Sequence, residues 1–264
     1  MCNIKLVNPN DVDITLYTDI WYDHDRANYN TTLLQCFYGN TQFDINTEDL
    51  RLLVYDPLRS TDQFISDDEN IGRALRQAIR TSDFNNVVTQ INGKYHTRTS
   101  RSVVDVLNAN WADIEQRVEN IYAIENPQIR RTLRNEIINI IANGNGQSNR
   151  YSFATKICSF GWPDLFPIFD SIASTLLYSY LCVEYDIKKE YLGLYRYYLE
   201  AYDVFMRDFP QLGGYLPTDK FFWLYGKALS NLMNNTNIVR FSSVSYIPED
   251  NNIPSFIEIN NIQM

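Results

Sequence analysis

Two charged residues stand in the most apolar part of the chain: Lys156 and Asp170, fourteen positions apart, in SFATKICSFGWPDLFPIFDS (152–171). Burying either charge unpaired is costly, so the pair asks for a chemical reason. A lysine amine drawn out of water loses its proton more readily and becomes a nucleophile. A carboxylate fixed in place stabilises positive charge that develops beside it. Each residue also has a plainer use. A lysine can carry its head back to solvent along its own alkyl stem, and an aspartate shortly after Pro167 suits the cap of a helix start.

The elements that would position the two residues are legible in the spacing. On a short helix at 151–160, Ser152, Lys156 and Ser159 share one face, while Phe153, Ala154, Ile157 and Phe160 are left for the core. GWP breaks that helix, and a second one starts near Asp170, with apolar residues at 172, 173, 176, 177, 180 and 181. Upstream, Val103, Val106, Leu107, Trp111, Ile114, Val118 and Ile121 recur at helical spacing. Pro127 suits the first turn of the next helix, which is expected to turn Ile129, Leu133, Ile137, Ile140 and Ile141 inward and Arg130, Arg131 and Arg134 outward. Gly144 ends it, and GNGQSNR makes a tight turn. Further helices are expected at 69–82, 188–209 and 219–234, with Asp219, Lys220, Trp223 and Tyr225 on the last. VVTQINGKYHTRT (87–99) sets Asn-Gly between two β-prone arms, which reads as a hairpin carrying Lys94 and Arg98. Residues 1–66 mix short apolar runs with Asn, Asp and Pro and suggest an irregular lobe with some strands. The fold class expected is mainly α and two-lobed, with a small mixed α/β lobe over 1–100 and a helical domain over 101–264.

Composition bounds the chemistry. The 264 residues are 45% hydrophobic, and no apolar run is long enough to cross a bilayer as a helix. The N-terminal stretch does not read as a secretory leader, and the four scattered cysteines fit reduced thiols, so a cytoplasmic protein is expected. Only His24 and His96 are present, and no cofactor or metal is expected. The net charge of −9 argues against nucleic acid at first sight. Its distribution argues the other way. Residues 71–101 hold Arg73, Arg76, Arg80, Lys94, Arg98 and Arg101 against Asp83 alone, and residues 127–160 hold Arg130, Arg131, Arg134, Arg150 and Lys156 against Glu136 alone. These are either one basic face or two ordinary solvated helix faces.

The order helix, Gly-containing turn, short helix, loop and Asp-headed helix resembles the helix-hairpin-helix DNA glycosylases, in particular their 8-oxoguanine glycosylase-like branch. FPIFDSIASTLL is similar to a segment of the adenine glycosylases, and FGWP looks like a loop of endonuclease III. The resemblance covers about 127–182. It implies an enzyme that flips a damaged or modified purine out of duplex DNA and cuts the N-glycosidic bond, in repair or in antiviral defence. It implies Asp170 as the carboxylate that stabilises the cationic sugar and a lysine that can form an imine with it, Lys156. Gly144, Gly146, Ser148 and Arg150, with Lys94 and Arg98 of the expected hairpin, would hold DNA phosphate. Tyr151, Ser152, Cys158, Phe160 and Trp162 would line the base pocket, although each aromatic also suits a core and Cys158 suits inert packing. No cysteine group fits the iron-sulfur cluster of some family members.

The chain departs from the family at the nucleophile. The family's lysine position falls here on Ser152 or Tyr151, and Lys156 lies one helical turn later. Three outcomes stay open: the loop brings Lys156 into place, water attacks instead, or activity has been lost. The last leaves a catalytically inactive nucleic-acid-binding or protein-interaction subunit with the same fold.

Overall fold

The computed structural model describes residues 70–143, 150–170, 173, 174, 177, 181, 192–219 and 222. Of the mixed α/β lobe expected over 1–100, residues 1–69 lie outside the described residues, and 70–100 form helices and turns with no strand, which does not support a mixed lobe. The Gly144, Gly146 and Ser148 turn, most of the expected helix at 219–234 and the tail from 235 also lie outside the described residues. Among those residues the chain is mainly helical and contains no strand.

Helix α1 (residues 70–80) turns Leu75, Ala78 and Ile79 into the core. Ser82, at φ 53°, ends the turn that follows, and the Asp83 carboxylate caps α2 (Phe84–Tyr95) by accepting the Asn86 N–H. Helix α3 (Val103–Tyr122) buries each of the seven apolar residues its spacing predicts. Asn126 caps α4 (Pro127–Asn143), its Oδ1 accepting the N–H groups of Gln128 (2.9 Å) and Ile129 (3.1 Å). Pro127 thus occupies the first helical position, where no N–H is needed. Helix α5 (Tyr151–Gly161) stops at the GWP break, helical residues 173, 174, 177 and 181 follow Asp170, and α6 (Tyr195–Asp208) begins seven residues later than its pattern suggests. Helix α4 packs against α3, α5 and α6, and α2 packs against α3 and α5, in one core that also takes in α1. Within it Ile137, Ile138 and Ile141 are fully buried, each contributing about 1.5–3 kcal/mol of transfer free energy.

Two expectations are overturned. The Asn92-Gly93 pair does not turn a hairpin; it lies in the last turns of α2, which runs on to Tyr95. Val87, Val88 and Ile91 are buried on one side of that helix, so the period is helical where residue type alone favours strands. The Asn92 side chain is used for a different turn. Its Nδ2 donates to the Thr99 carbonyl (2.8 Å), and its Oδ1 accepts the Thr99 N–H (2.8 Å) and the Thr97 hydroxyl (2.5 Å).

The second correction concerns α4, which is rotated by about one residue from the expected register. Arg131 and Arg134 are 8% and 4% exposed, whereas Ile129 is 51% exposed. Arg131 and Arg134 are spaced i, i+3 on α4, and Glu200 and Asp203 are spaced i, i+3 on α6. The two helices meet through these rows. Arg131 Nη1 donates to Asp203 Oδ2 at 3.1 Å and its Nη2 lies 3.9 Å from Glu200 Oε1. Arg134 Nη1 donates to the Leu165 carbonyl (2.9 Å) and to the Tyr215 hydroxyl (2.7 Å), and its Nη2 lies 3.6 Å from Asp203. The Tyr215 hydroxyl in turn donates to Asp203 Oδ1. Pairing of this quality lets the core accept two guanidinium groups in place of apolar contacts.

Candidate active site around Asp170

The segment between α5 and the Asp-headed helix folds back on α5. Trp162 donates its N–H to the Cys158 carbonyl (2.7 Å), and Leu165 and Phe166 donate theirs to the Trp162 carbonyl. The Phe169 N–H donates to Thr155 Oγ1 at 3.0 Å, and that hydroxyl donates to the Tyr151 carbonyl. From the other side, Tyr195 and Tyr198 of α6 donate their hydroxyls to the carbonyls of Pro167 (3.0 Å) and Ile168 (2.6 Å), and the Phe169 ring meets Tyr198 edge-on at 4.9 Å. Three consecutive residues are therefore held by hydroxyl groups from two helices before the chain reaches Asp170. Burial drives the phenols of Tyr195, Tyr198 and Tyr202 well above their ordinary range, so they stay neutral.

Asp170 is half-buried. Its Oδ1 accepts the Ala173 N–H at 2.8 Å, and its carbonyl accepts the Ser174 N–H, which is the geometry of a helix cap. The charges of Asp170 and Asp219 add to the effect of burial in raising the phenols of Tyr198 and Tyr202.

Lys156 is buried, as its setting predicts. Its Nζ donates to Ser152 Oγ at 2.9 Å and lies 5.4 Å from the centre of the Tyr95 ring, a cation–π contact with α2. Ser159 is buried as well, so the polar seam of Ser152, Lys156 and Ser159 exists. Thr155 is the residue of α5 that meets the Asp170 segment, and Lys156, one position on, is turned by about 100° around the helix.

The residues expected to line a base pocket are mostly packed. Tyr151 is buried, with its hydroxyl donating to Asn139 and accepting from Asn143. Phe160 lies between Gly72 and the Tyr95 ring. Trp162 stacks on Trp111 at 5.3 Å. Cys158 is fully buried and its thiol is pushed far above the usual range, which makes it inert. Of the expected phosphate ligands, Arg150 is buried and donates to the Ser102 hydroxyl at 3.0 Å, Lys94 is half-buried in the last turn of α2, and Arg98 is exposed. Thr155, Tyr195 and Tyr198, which position Asp170, carry no sequence motif, and the hydroxyl-to-backbone bonds that give them their role are tertiary.

Comparison of the chain with protein-family models, with curated proteins and with solved structures finds no match.

Proposed function

We propose that this protein is a helix-hairpin-helix glycosylase-like enzyme that hydrolyses the N-glycosidic bond of a modified, 8-oxoguanine-like purine in duplex DNA, with Asp170 as the carboxylate beside the sugar. The observation that carries this reading is the bond from the Phe169 N–H to Thr155. It pins the residue before Asp170 to α5, so the carboxylate is fixed before substrate arrives. A fixed charge stabilises a cationic sugar without reorganising in the transition state. Water is the nucleophile in this reading, because the Lys156 ammonium is engaged by the Ser152 hydroxyl and the Tyr95 ring and the lysine position of the family that the chain resembles falls on Ser152 or Tyr151. Such excision would serve DNA repair or defence against modified phage DNA.

The test incubates the protein with duplexes carrying 8-oxoguanine opposite each base, in the presence of borohydride. Free base released without a covalent adduct, and lost in Asp170→Asn, supports the proposal. An adduct lost in Lys156→Gln overturns the choice of water and assigns a lysine imine with strand-cleaving lyase activity. Absence of base release overturns the enzymatic reading for this substrate.

A second reading is favoured by one observation: Asp170 Oδ1 accepts the Ala173 N–H, a capping task that needs no catalysis. The protein would then be an inactive nucleic-acid-binding or protein-interaction subunit. Its DNA binding, if present, weakens with salt and is indifferent to Asp170→Asn.

A further inference from the structure

The enclosure of Arg131, Arg134 and Arg150 removes three cations from any phosphate contact on α4 and α5 and leaves the basic surface elsewhere. Helix α1 carries Arg73, Arg76 and Arg80 at i, i+3 and i+7, all exposed, on one side of the helix. Its opposite side, Leu75, Ala78 and Ile79, is buried, so the helix is anchored and its arginines form a rail about 10 Å long at 1.5 Å per residue. Gly72 lets α1 approach Phe160 closely: a Cβ there would stand 3.3 Å from that ring. Phe160 also meets Tyr95, the last residue of α2. The start of the rail and the end of α2 therefore border the same side chain.

The segment after α2 is built rather than loose. His96 and Arg98 both have positive φ, 51° and 52°, which non-glycine residues adopt only when surroundings hold them there. The holding group is Asn92, which bonds both the N–H and the carbonyl of Thr99, the residue directly after Arg98. Two residues past the clamp is exposed Arg101, and next to it Ser102 accepts from buried Arg150. The Asn92 clamp therefore fixes the Thr99 backbone between exposed Arg98 and exposed Arg101.

We infer that α1 and the clamped segment 96–101 form a binding surface for the sugar-phosphate backbone of duplex DNA, with Arg73, Arg76, Arg80, Arg98 and Arg101 as its phosphate contacts. Apart from Arg98, which the sequence already assigns to phosphate, the surface lies outside the turn and helix start that the glycosylase resemblance assigns to phosphate. It deepens the reading of a DNA partner and stands apart from the chemistry at Asp170. Among the described residues Asp83 and Asp105 are exposed acids on adjoining segments, and Asp67, Asp68 and Glu69 directly precede α1 in the sequence, so it is the arginines sharing one side of α1, rather than the summed charge, that make the surface. A lipid surface fits less well, because a helix lying on a membrane needs an apolar side to insert, and that side of α1 is in the core. The acidity of the rest of the chain repels DNA, so any binding has to go through this face.

The experiment measures binding of an undamaged duplex by the full chain as a function of salt. Five neutralised phosphates predict a slope of log K on log salt of about −4.5, so affinity falls roughly 500-fold between 50 and 200 mM. The triple variant Arg73→Ala, Arg76→Ala, Arg80→Ala brings the slope to about −1.8 and the fall to roughly tenfold, equally for any sequence. Arg117→Ala, which removes a cation of α3 paired with Asp113 and Glu136, leaves the slope unchanged. An unchanged slope in the triple variant, or equal retention of the protein on phosphatidylserine vesicles, overturns the inference. Reduced slope without base release from lesion duplexes sinks the glycosylase and keeps the surface; base release with an unchanged slope does the reverse.

Discussion

The Phe169 N–H donates to the Thr155 hydroxyl across fourteen residues of sequence, and that bond sets the entry of the Asp170 helix against α5. Thr155→Val keeps the shape of the side chain and removes the acceptor. A buried N–H left without a partner costs about 1–3 kcal/mol, and chemical denaturation should register that loss. If Asp170 is catalytic, base release falls further than the stability loss explains, because the carboxylate loses its fixed position. Thr155→Ser restores the bond and recovers both.

The course of α2 through Asn92-Gly93 gives a sign that separates helix from hairpin. Gly93 is exposed in the last turns of α2, and a Cβ added there would meet nothing within 4 Å. Gly93→Ala should stabilise the protein by about 0.5–1 kcal/mol, since it lowers the entropy of the unfolded chain and adds helix propensity. In a two-residue hairpin turn the same change would be destabilising, because that glycine needs a positive φ. Asn92→Ala should cost about 1–3 kcal/mol through the lost bonds to Thr97 and Thr99.

These two sites show what the sequence carries and what it leaves out. Helical class and the inward face of α3 follow from apolar spacing, which is local. The burial of Lys156 beside Ser152 is also local, because residues four apart on a helix meet. The α2 hairpin expectation failed because a strong two-residue turn signal competed with a helical apolar period that runs through it, and packing of Val87, Val88 and Ile91 decided the contest. The register of α4 was hidden for another reason. Arginine reads as surface until its acids are known, and Glu200 and Asp203 lie some seventy positions downstream. The packing of Tyr151, Phe160 and Trp162 against α4, α1 and α3 is likewise tertiary, and residue type alone suits either a pocket or a core.

The α4–α6 ion network makes a stability prediction. Asp203 serves Arg131, Arg134 and Tyr215 together. Asp203→Ala leaves Arg131 with Glu200 alone and Arg134 with no carboxylate, and should destabilise by about 3–5 kcal/mol. Arg134→Met with Asp203 intact should cost less, since Arg131 still neutralises the acid. A double-mutant cycle in urea measures the coupling, and additive losses would contradict the shared-acid geometry.

Alkali gives a second stability test. Burial raises the phenols of Tyr195, Tyr198, Tyr202 and Tyr215, and burial with the bond to Asp164 raises Tyr122 to about 12. A group whose folded pKa lies above its unfolded value contributes stability that is complete below the unfolded value, near 10 for tyrosine, and is lost as pH rises beyond it. Stability should therefore hold to about pH 10 and then fall. Phenolate absorbance from the four buried phenols and reaction of Cys158 with iodoacetamide should both appear only with unfolding, and early appearance of either would contradict their burial.

Asp170 has two tasks that one substitution can separate. The cap needs an acceptor oxygen for the Ala173 N–H, and asparagine supplies one as well as aspartate does. The proposed chemistry needs a negative charge beside the sugar, and asparagine supplies none. Asp170→Asn should therefore keep the folded stability within about 0.5 kcal/mol and abolish base release, while Asp170→Ala loses both the cap, about 1 kcal/mol, and the reaction. Stability and excision measured on the two variants form a two-by-two comparison. If Asp170→Asn releases base as fast as the parent protein, the carboxylate is only a cap, and a catalytic role for this residue is finished.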